Sequence, residues 1–188
     1  MNLQELQDYC ARALHRDDMA SDVQPALELA LSRIAGLNLP QLVEMGPVTF
    51  TGGWAPTPAR WHRWHAVYDA FGRELREVLG AVAVTEIRGG RGPRWRRSIG
   101  QQLYVYPAPA DGSVLQAAWY AIPVAPTAPT ASIPVMDAFP GLVAAGTLVE
   151  LHRITRNAAE LERWDGTYQV YADVATRTAA SRLLAGAR

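Results

Sequence analysis

Leu3, Leu6, Cys10, Ala13 and Leu14 recur at helical spacing and predict a first amphipathic helix, which Arg16-Asp17-Asp18 ends. A second helix follows. Ser21 and Asp22 read as its N-cap candidates, with Pro25 in the first turn, and Val23, Leu27, Ala30, Leu31 and Ile34 form its apolar stripe. Gly36 and Asn38 are terminators, and Pro40 is the stop. From residue 41 the period changes. Gly46-Pro47, Gly52-Gly53, Pro56, Pro58, Gly72, Gly80 and Gly89-Gly90 punctuate short runs with β character. His65 to Tyr68 and Leu75 to Val78 flank the turn-like Asp69 to Gly72, and Leu103 to Tyr106 and Val114 to Tyr120 flank Pro107 to Gly112. This pattern predicts a small antiparallel meander with hairpin turns, and a short helix over 79–87.

Pro123, Pro126, Pro129 and Pro134 lie within one short stretch, a density that predicts a stiff extended connector without helix or central strand. Phe139 to Thr155 is apolar on most sides, and Ala144-Ala145-Gly146 permits close helix contact. Asn157 followed by Glu160 reads as a capping-box-like start to a last helix, with Leu161, Trp164, Tyr168, Tyr171, Ala175 and Thr178 as its buried stripe and Gly166 as an internal penalty. Residues 183–188 form a small tail that frays unless a partner holds it. The expected fold is α+β: an antiparallel bundle of about four helices with an inserted small antiparallel β lobe and a Pro-rich linker. The expected segments are 1–40, 41–122, 123–137 and 138–188.

Composition narrows the chemistry. The chain has 188 residues, enough for one domain, with 49% apolar and 19% charged residues. Its 18 basic residues balance 18 acidic ones, which disfavours a globally basic nucleic-acid binder and favours easy association. All 18 are Arg, so a Schiff-base, P-loop or kinase lysine is excluded. The single Cys10 excludes an intrachain disulfide or a multi-cysteine zinc site. The N-terminus lacks signal-peptide character, and no stretch approaches the ~20 apolar residues of a membrane span. Charge is uneven: residues 1–59 carry three Arg and seven acids, 60–100 nine Arg and four acids, and 101–188 six Arg and seven acids.

His62 and His65 form an H-x-x-H which, on a helix, offers two imidazoles to one metal, but no third ligand follows; the plainer reading is two surface histidines among tryptophans. Asp17-Asp18 and Glu74/Glu77 are carboxylate pairs without a nearby base or nucleophile frame. Gly89-Gly90-Arg91-Gly92-Pro93 lacks the spacing and lysine of a phosphate loop. The richest patch is Arg88, Arg91, Arg94, Trp95, Arg96 and Arg97, read as a loop. Guanidinium groups beside an aromatic face suit carboxylates on a neighbouring protein, or phosphates and stacked bases, so protein contact, DNA contact and a solvated loop all stay open. Six Trp are many for this length; they suit an interface, while Trp54, Trp61 and Trp64 equally suit the core of the β lobe.

The chain resembles the head–tail adaptor (connector) proteins of tailed bacteriophages, especially the short-tailed type. The resemblance runs from Leu6-Gln7-Asp8-Tyr9 and Leu14-His15-Arg16-Asp17-Asp18 through Ala26 to Ile34 and Gln102 to Pro109. It continues through Leu115 to Tyr120, Phe139 to Leu148, and Glu162-Arg163-Trp164 with Tyr168 and Tyr171. The family carries acidic residues between its last two helices, where this chain has Arg156-Asn157. The resemblance implies a structural virion protein rather than an enzyme, with no cofactor or metal and no membrane. Such a protein, assembled in the host cytoplasm, forms a dodecameric ring beneath the portal protein, extends the DNA channel and receives the tail nozzle or other tail proteins. On this reading the C-terminal helix and tail, roughly Thr178 to Arg188, dock on the portal with Arg182, Leu183, Leu184 and Arg188. The loop with Arg88, Arg91, Arg94, Trp95, Arg96 and Arg97 is more basic than the family pattern, and subunit, tail or transient genomic DNA contact is assigned to it from its residues rather than from the resemblance. The alternative is a nucleic-acid binding module using the 88–97 patch.

Overall fold

The computed structural model describes residues 1–16, 18–78 and 94–186, with 182–186 as backbone only; the helix expected over 79–87 lies outside these. The chain divides into two compact units, Met1–Leu42 with Ile122–Arg188, and Val43–Ala121. Among the described residues the first is helical and the second is built of strands, so the fold is α+β, a helical bundle with an inserted β lobe.

In the helical unit, α1 spans Leu3–Leu14 and buries Leu3, Leu6 and Cys10. Its four first-turn N–H groups are all satisfied. The Asn2 side chain accepts from Glu5 N while the Glu5 side chain accepts from Asn2 N, a capping box that the sequence reading passed over. Leu6 N donates to Asn2 O, and Leu3 N and Gln4 N donate to the carbonyls of Ala131 and Pro129 at 3.0 and 2.9 Å. The Pro-rich connector is therefore not a free spacer. Prolines have no N–H and only accept, which matches them to a helix N-terminus that only donates. Its last proline also starts a helix, contrary to expectation: α3 spans Pro134–Ala138 with Pro134 in the first turn, where a missing N–H is tolerated. Burial of the Cys10 side chain pushes its thiol up to about 12, so the reactive thiolate is absent at neutral pH.

Helix α2 (Ala20–Ala35) buries Val23, Ala26, Leu27, Ala30, Leu31, Ile34 and Ala35. It begins earlier than expected, capped by the backbone of buried Met19, so Ser21 and Asp22 lie inside the first turn and Pro25 in the second. The chain reverses at Asn38, which adopts φ 53°. Helix α4 (Pro140–Ile154) has every residue from Leu142 to His152 buried. It approaches α2 closely: a Cβ on Gly146 would lie 3.3 Å from the Ala30 Cβ and 3.4 Å from the Tyr168 ring.

Helix α5 spans Ala158–Gly186. Asn157 Oδ1 accepts from Glu160 N at 3.4 Å, the forward half of the expected capping box. Its buried positions are Tyr168, Ala172, Ala175 and Ala179; Tyr171 is 43% exposed, its ring over Gly141, so the stripe is rotated from the expected one. Arg33 joins α2 to α5, with Nη2 2.6 Å from Asp165 Oδ1 and the guanidinium 4.1 Å above the Tyr168 ring. Gly166 would meet nothing within 4 Å, so its cost of about 1 kcal/mol against Ala has no packing return within the chain. No helix of the described residues is long and apolar enough to cross a membrane.

The lobe is not one antiparallel meander. The strands are β1 (Val43–Thr49), β2 (Trp54–Pro56), β3 (Trp61–Tyr68), β4 (Arg76–Glu77), β5 (Trp95–Ile99), β6 (Gln102–Tyr106) and β7 (Val114–Ala121). One sheet has the order β1-β7-β3 and the other β2-β6-β5-β4, with β4 and β5 parallel. The turn after β3 is as expected: Asp69 Oδ1 accepts from Phe71 N and Arg73 N, and Leu75 N donates to Val67 O. The chain then leaves this pairing, and Arg76 and Glu77 join the other sheet. Likewise β6 and β7 do not pair, because the stiff, proline-bearing 107–113 connection carries the chain from one sheet to the other. Phe50, Trp64, Val67, Leu103, Val105 and Trp119 lead the lobe core, with the Trp64 and Trp119 rings edge to face at 6.2 Å and Trp61 against Trp64.

Gly146→Leu places a branched side chain where Ala30 and Tyr168 already sit. Chemical denaturation should show a loss of about 1–3 kcal/mol or more, whereas Gly166→Ala should raise the midpoint.

Candidate functional site

Strand β5 places the predicted arginine-rich patch. The segment from Trp95 is a strand rather than a loop, and strand alternation sends its side chains to opposite faces. Arg96 points inward. It is 5% exposed, and its Nη2 donates to the His65 carbonyl at 3.1 Å and to Glu77 Oε2 at 3.2 Å. It closes the lobe and is not available as a contact residue, which corrects its expected place in the patch. Arg94 is exposed, and Trp95 and Arg97 are half-buried on the opposite face. Arg88, Arg91 and the Gly89–Pro93 stretch lie outside the described residues.

The registers build that outer face. Cross-strand partners share a face, so Arg76, Trp95 and Tyr106 form one row, and Arg97, Tyr104 and Trp54 a second. The Arg76 guanidinium lies 5.7 Å from the Trp95 ring centroid. Leu103 and Val105, alternating with the two tyrosines, fill the core side. The result is a continuous arginine–aromatic surface. Arg76, Arg94 and Arg97 make no ion pair among the described residues, while Arg73 is held by Asp69 and Arg96 by Glu77. The Arg73 backbone N–H and guanidinium hold the Asp69 carboxyl below the usual carboxylate range. At the same end Phe71 is 81% exposed beneath Arg73. Trp54, Arg76, Tyr104 and Tyr106 were missed as site residues. The alternation in Leu103-Tyr104-Val105-Tyr106 was their signal, but it names a face only once the strand partners are known.

Other predicted chemistry is not brought together. His62 and His65 are exposed on β3, not on a helix, and His65 stacks edge-on to Tyr120 at 5.3 Å. No group of three metal-ligating side chains occurs among the described residues. Arg182, Leu183 and Leu184 fall on the final turn of α5, where only the backbone is described, and Arg188 lies beyond it.

A second feature sits in the helical unit. An open cavity of about 450 Å³ is lined by His15, Arg16, His152, Asn157, Glu160 and Arg163 among others. His152, at the end of α4, is 4% exposed, and neither ring nitrogen has a partner among the described residues. Burial lowers its pKa against the opposing pull of Glu160.

A family model described as SU10 adaptor protein matches residues 1–187. No curated protein matches the chain.

Two outcomes follow from this geometry. Arg96→Ala strands Glu77 and the His65 carbonyl, and should lower stability by about 1–3 kcal/mol, whereas Arg94→Ala should change it by less than about 0.5 kcal/mol in the same urea titration. For His152, the folded state refuses a proton that the unfolded chain accepts below about pH 6.5. Its contribution is therefore complete above that pH and lost as pH falls below it. Urea midpoints from pH 7.5 to 5 should fall more steeply for the wild-type chain than for His152→Leu.

Proposed function

The chain belongs to the SU10 adaptor protein family, so it is a structural adaptor of the phage virion, and on that premise we propose that it forms a ring beneath the portal protein, extends the DNA channel and docks the tail. The observation that carries this reading is the extent of the family match, which runs through both the helical unit and the β lobe. An adaptor works by recognition, and each unit offers a means of it.

The lobe contributes the arginine–aromatic face, with Arg94, Trp95 and Arg97 from the predicted patch and Arg76, Tyr104 and Tyr106 beside them. Trp, Tyr and Arg are the side chains that dominate interface energetics, because they bring large contact area and directed hydrogen bonds. The C-terminal end of α5, with Arg182, Leu183, Leu184 and Arg188, docks on the portal. Helix α5 runs to Gly186, and Ala180 and Ser181, the last two of its residues whose side chains are described, are exposed.

The same guanidinium–aromatic chemistry suits DNA passing through the channel, since phosphates pair with arginine and bases stack on tryptophan and tyrosine. Binding of that kind weakens steeply with salt.

The test mixes the purified protein with the cognate portal ring in analytical ultracentrifugation. Co-sedimentation in a fixed stoichiometry is expected, and deletion of residues 181–188 should abolish it while the far-UV circular dichroism keeps its helical signal. No complex at any concentration overturns the adaptor assignment. In that event a salt-sensitive shift of duplex DNA by the wild-type protein, lost in Arg76→Glu/Arg94→Glu, would assign the lobe to nucleic acid.

A further inference from the structure

We propose that the arginine–aromatic face of the lobe is a docking site for the outer face of α2 on a second copy of this chain. The proposal rests on the adaptor reading only for the presence of several copies side by side; the surfaces themselves are argued from charge, exposure and helix chemistry.

Charge comes first. Residues 43–121 carry nine Arg and six acids, residues 1–42 carry three Arg and six acids, and residues 122–188 carry six of each. The zero net charge is thus the cancellation of a cationic lobe against an anionic first helical pair. On the lobe, Arg76, Arg94 and Arg97 have no carboxylate partner among the described residues. On α2, Asp22 and Glu28 make no ion pair among them either, the charge of Asp22 acting on Arg16 only at longer range, and the helix's own arginine, Arg33, is taken by Asp165.

Exposure comes second. Asp22, Pro25 and Leu29 follow one another at helical spacings of three and four, with Glu28 beside them, so all four share the side of α2 opposite its buried stripe. Leu29 is 52% exposed and Pro25 is exposed. Two apolar side chains flanked by two unpaired carboxylates complement aromatic rings flanked by unpaired guanidinium groups.

Helix chemistry comes third. Pro25 has no N–H, so the carbonyl of Ser21, one turn earlier, lacks its helical donor. Ser21 and Pro25 are both exposed. A guanidinium or indole N–H from the lobe of another copy supplies the donor that the helix omits. Because the contact joins two different surfaces, it propagates head to tail and closes into a ring when the rotation per copy permits.

The test uses two charge-reversed versions of the full chain, Arg76→Glu/Arg94→Glu and Asp22→Arg/Glu28→Arg. Circular dichroism melts check that each folds, and Glu28→Arg alone replaces the second if it does not. Sedimentation velocity at low salt then measures self-association without portal. The wild-type chain is expected to self-associate, and each variant alone to do so on the order of tenfold or more weakly. An equimolar mixture of the two should recover the wild-type strength, because every junction in an alternating chain again joins opposite charges. Three results overturn the proposal: a wild-type chain that stays monomeric to its solubility limit, variants that assemble like wild type, or a mixture no stronger than its components. Portal binding read separately keeps the two readings apart. A monomeric chain that still binds portal removes this contact and leaves the adaptor role. If Arg76→Glu/Arg94→Glu abolishes binding of a single-stranded oligonucleotide and leaves self-association intact, the face takes nucleic acid instead.

Discussion

The helical unit depends on a helix with no side for water. From Leu142 to His152 every position of α4 is buried, so the helices around it must supply a complete wall. The wall is close on the α2 side, where Gly146 leaves room for Ala30 and the Tyr168 ring and nothing more. The polar groups on α4 then have few options. Thr147 returns its hydroxyl to the Val143 carbonyl, Glu150 accepts from Arg153, and His152, at the helix end, has no partner among the described residues. Burial of one element thus determines both where side chains must be small and where protonation is resisted.

Arginine does two jobs in this lysine-free chain, and the distinction lies in geometry rather than in composition. Arg33, Arg73, Arg76 and Arg163 each lie over an aromatic ring, a use of the flat guanidinium that an ammonium group fills less well. Arg96 turns inward and bridges a carboxylate and a main-chain carbonyl. One residue along the same strand, Arg97 turns outward. A run of like charges is therefore divided by the pleat of β5 into a structural member and surface members, and this division is what gives the lobe a usable face.

How much of this was legible follows from the range of the interactions involved. The periodic stripes of α1 and α2 and the all-round apolar character of α4 are local, and the sequence shows them directly. The rotation of the α5 stripe toward Ala172 and Ala179 was hidden because Tyr171 fits the helical spacing of the stripe, while its ring lies over Gly141 on a neighbouring helix. The partition of the described strands into two sheets was not legible, since β4 abandons its hairpin partner for a parallel one and β6 and β7 part company after 107–113. Such pairings depend on residues far apart in the chain. Of the candidate patch, its position in the lobe and its Arg and Trp content could be read, but the inward turn of Arg96 and the contributions of Trp54, Tyr104 and Tyr106 required the register.

The bond between the connector and α1 has a consequence for how the molecule is made. A ribosome delivers Leu3 and Gln4 long before Pro129 and Ala131, yet those two carbonyls complete the first turn of α1. The opening helix must wait, incompletely capped, while the whole lobe is synthesised between its halves. The lobe holds its own core and is free to fold during that interval, so the helical unit is completed last. The chain's final order is thus set from the middle outward, and the arrival of a proline-rich segment marks the moment at which its beginning becomes a finished helix.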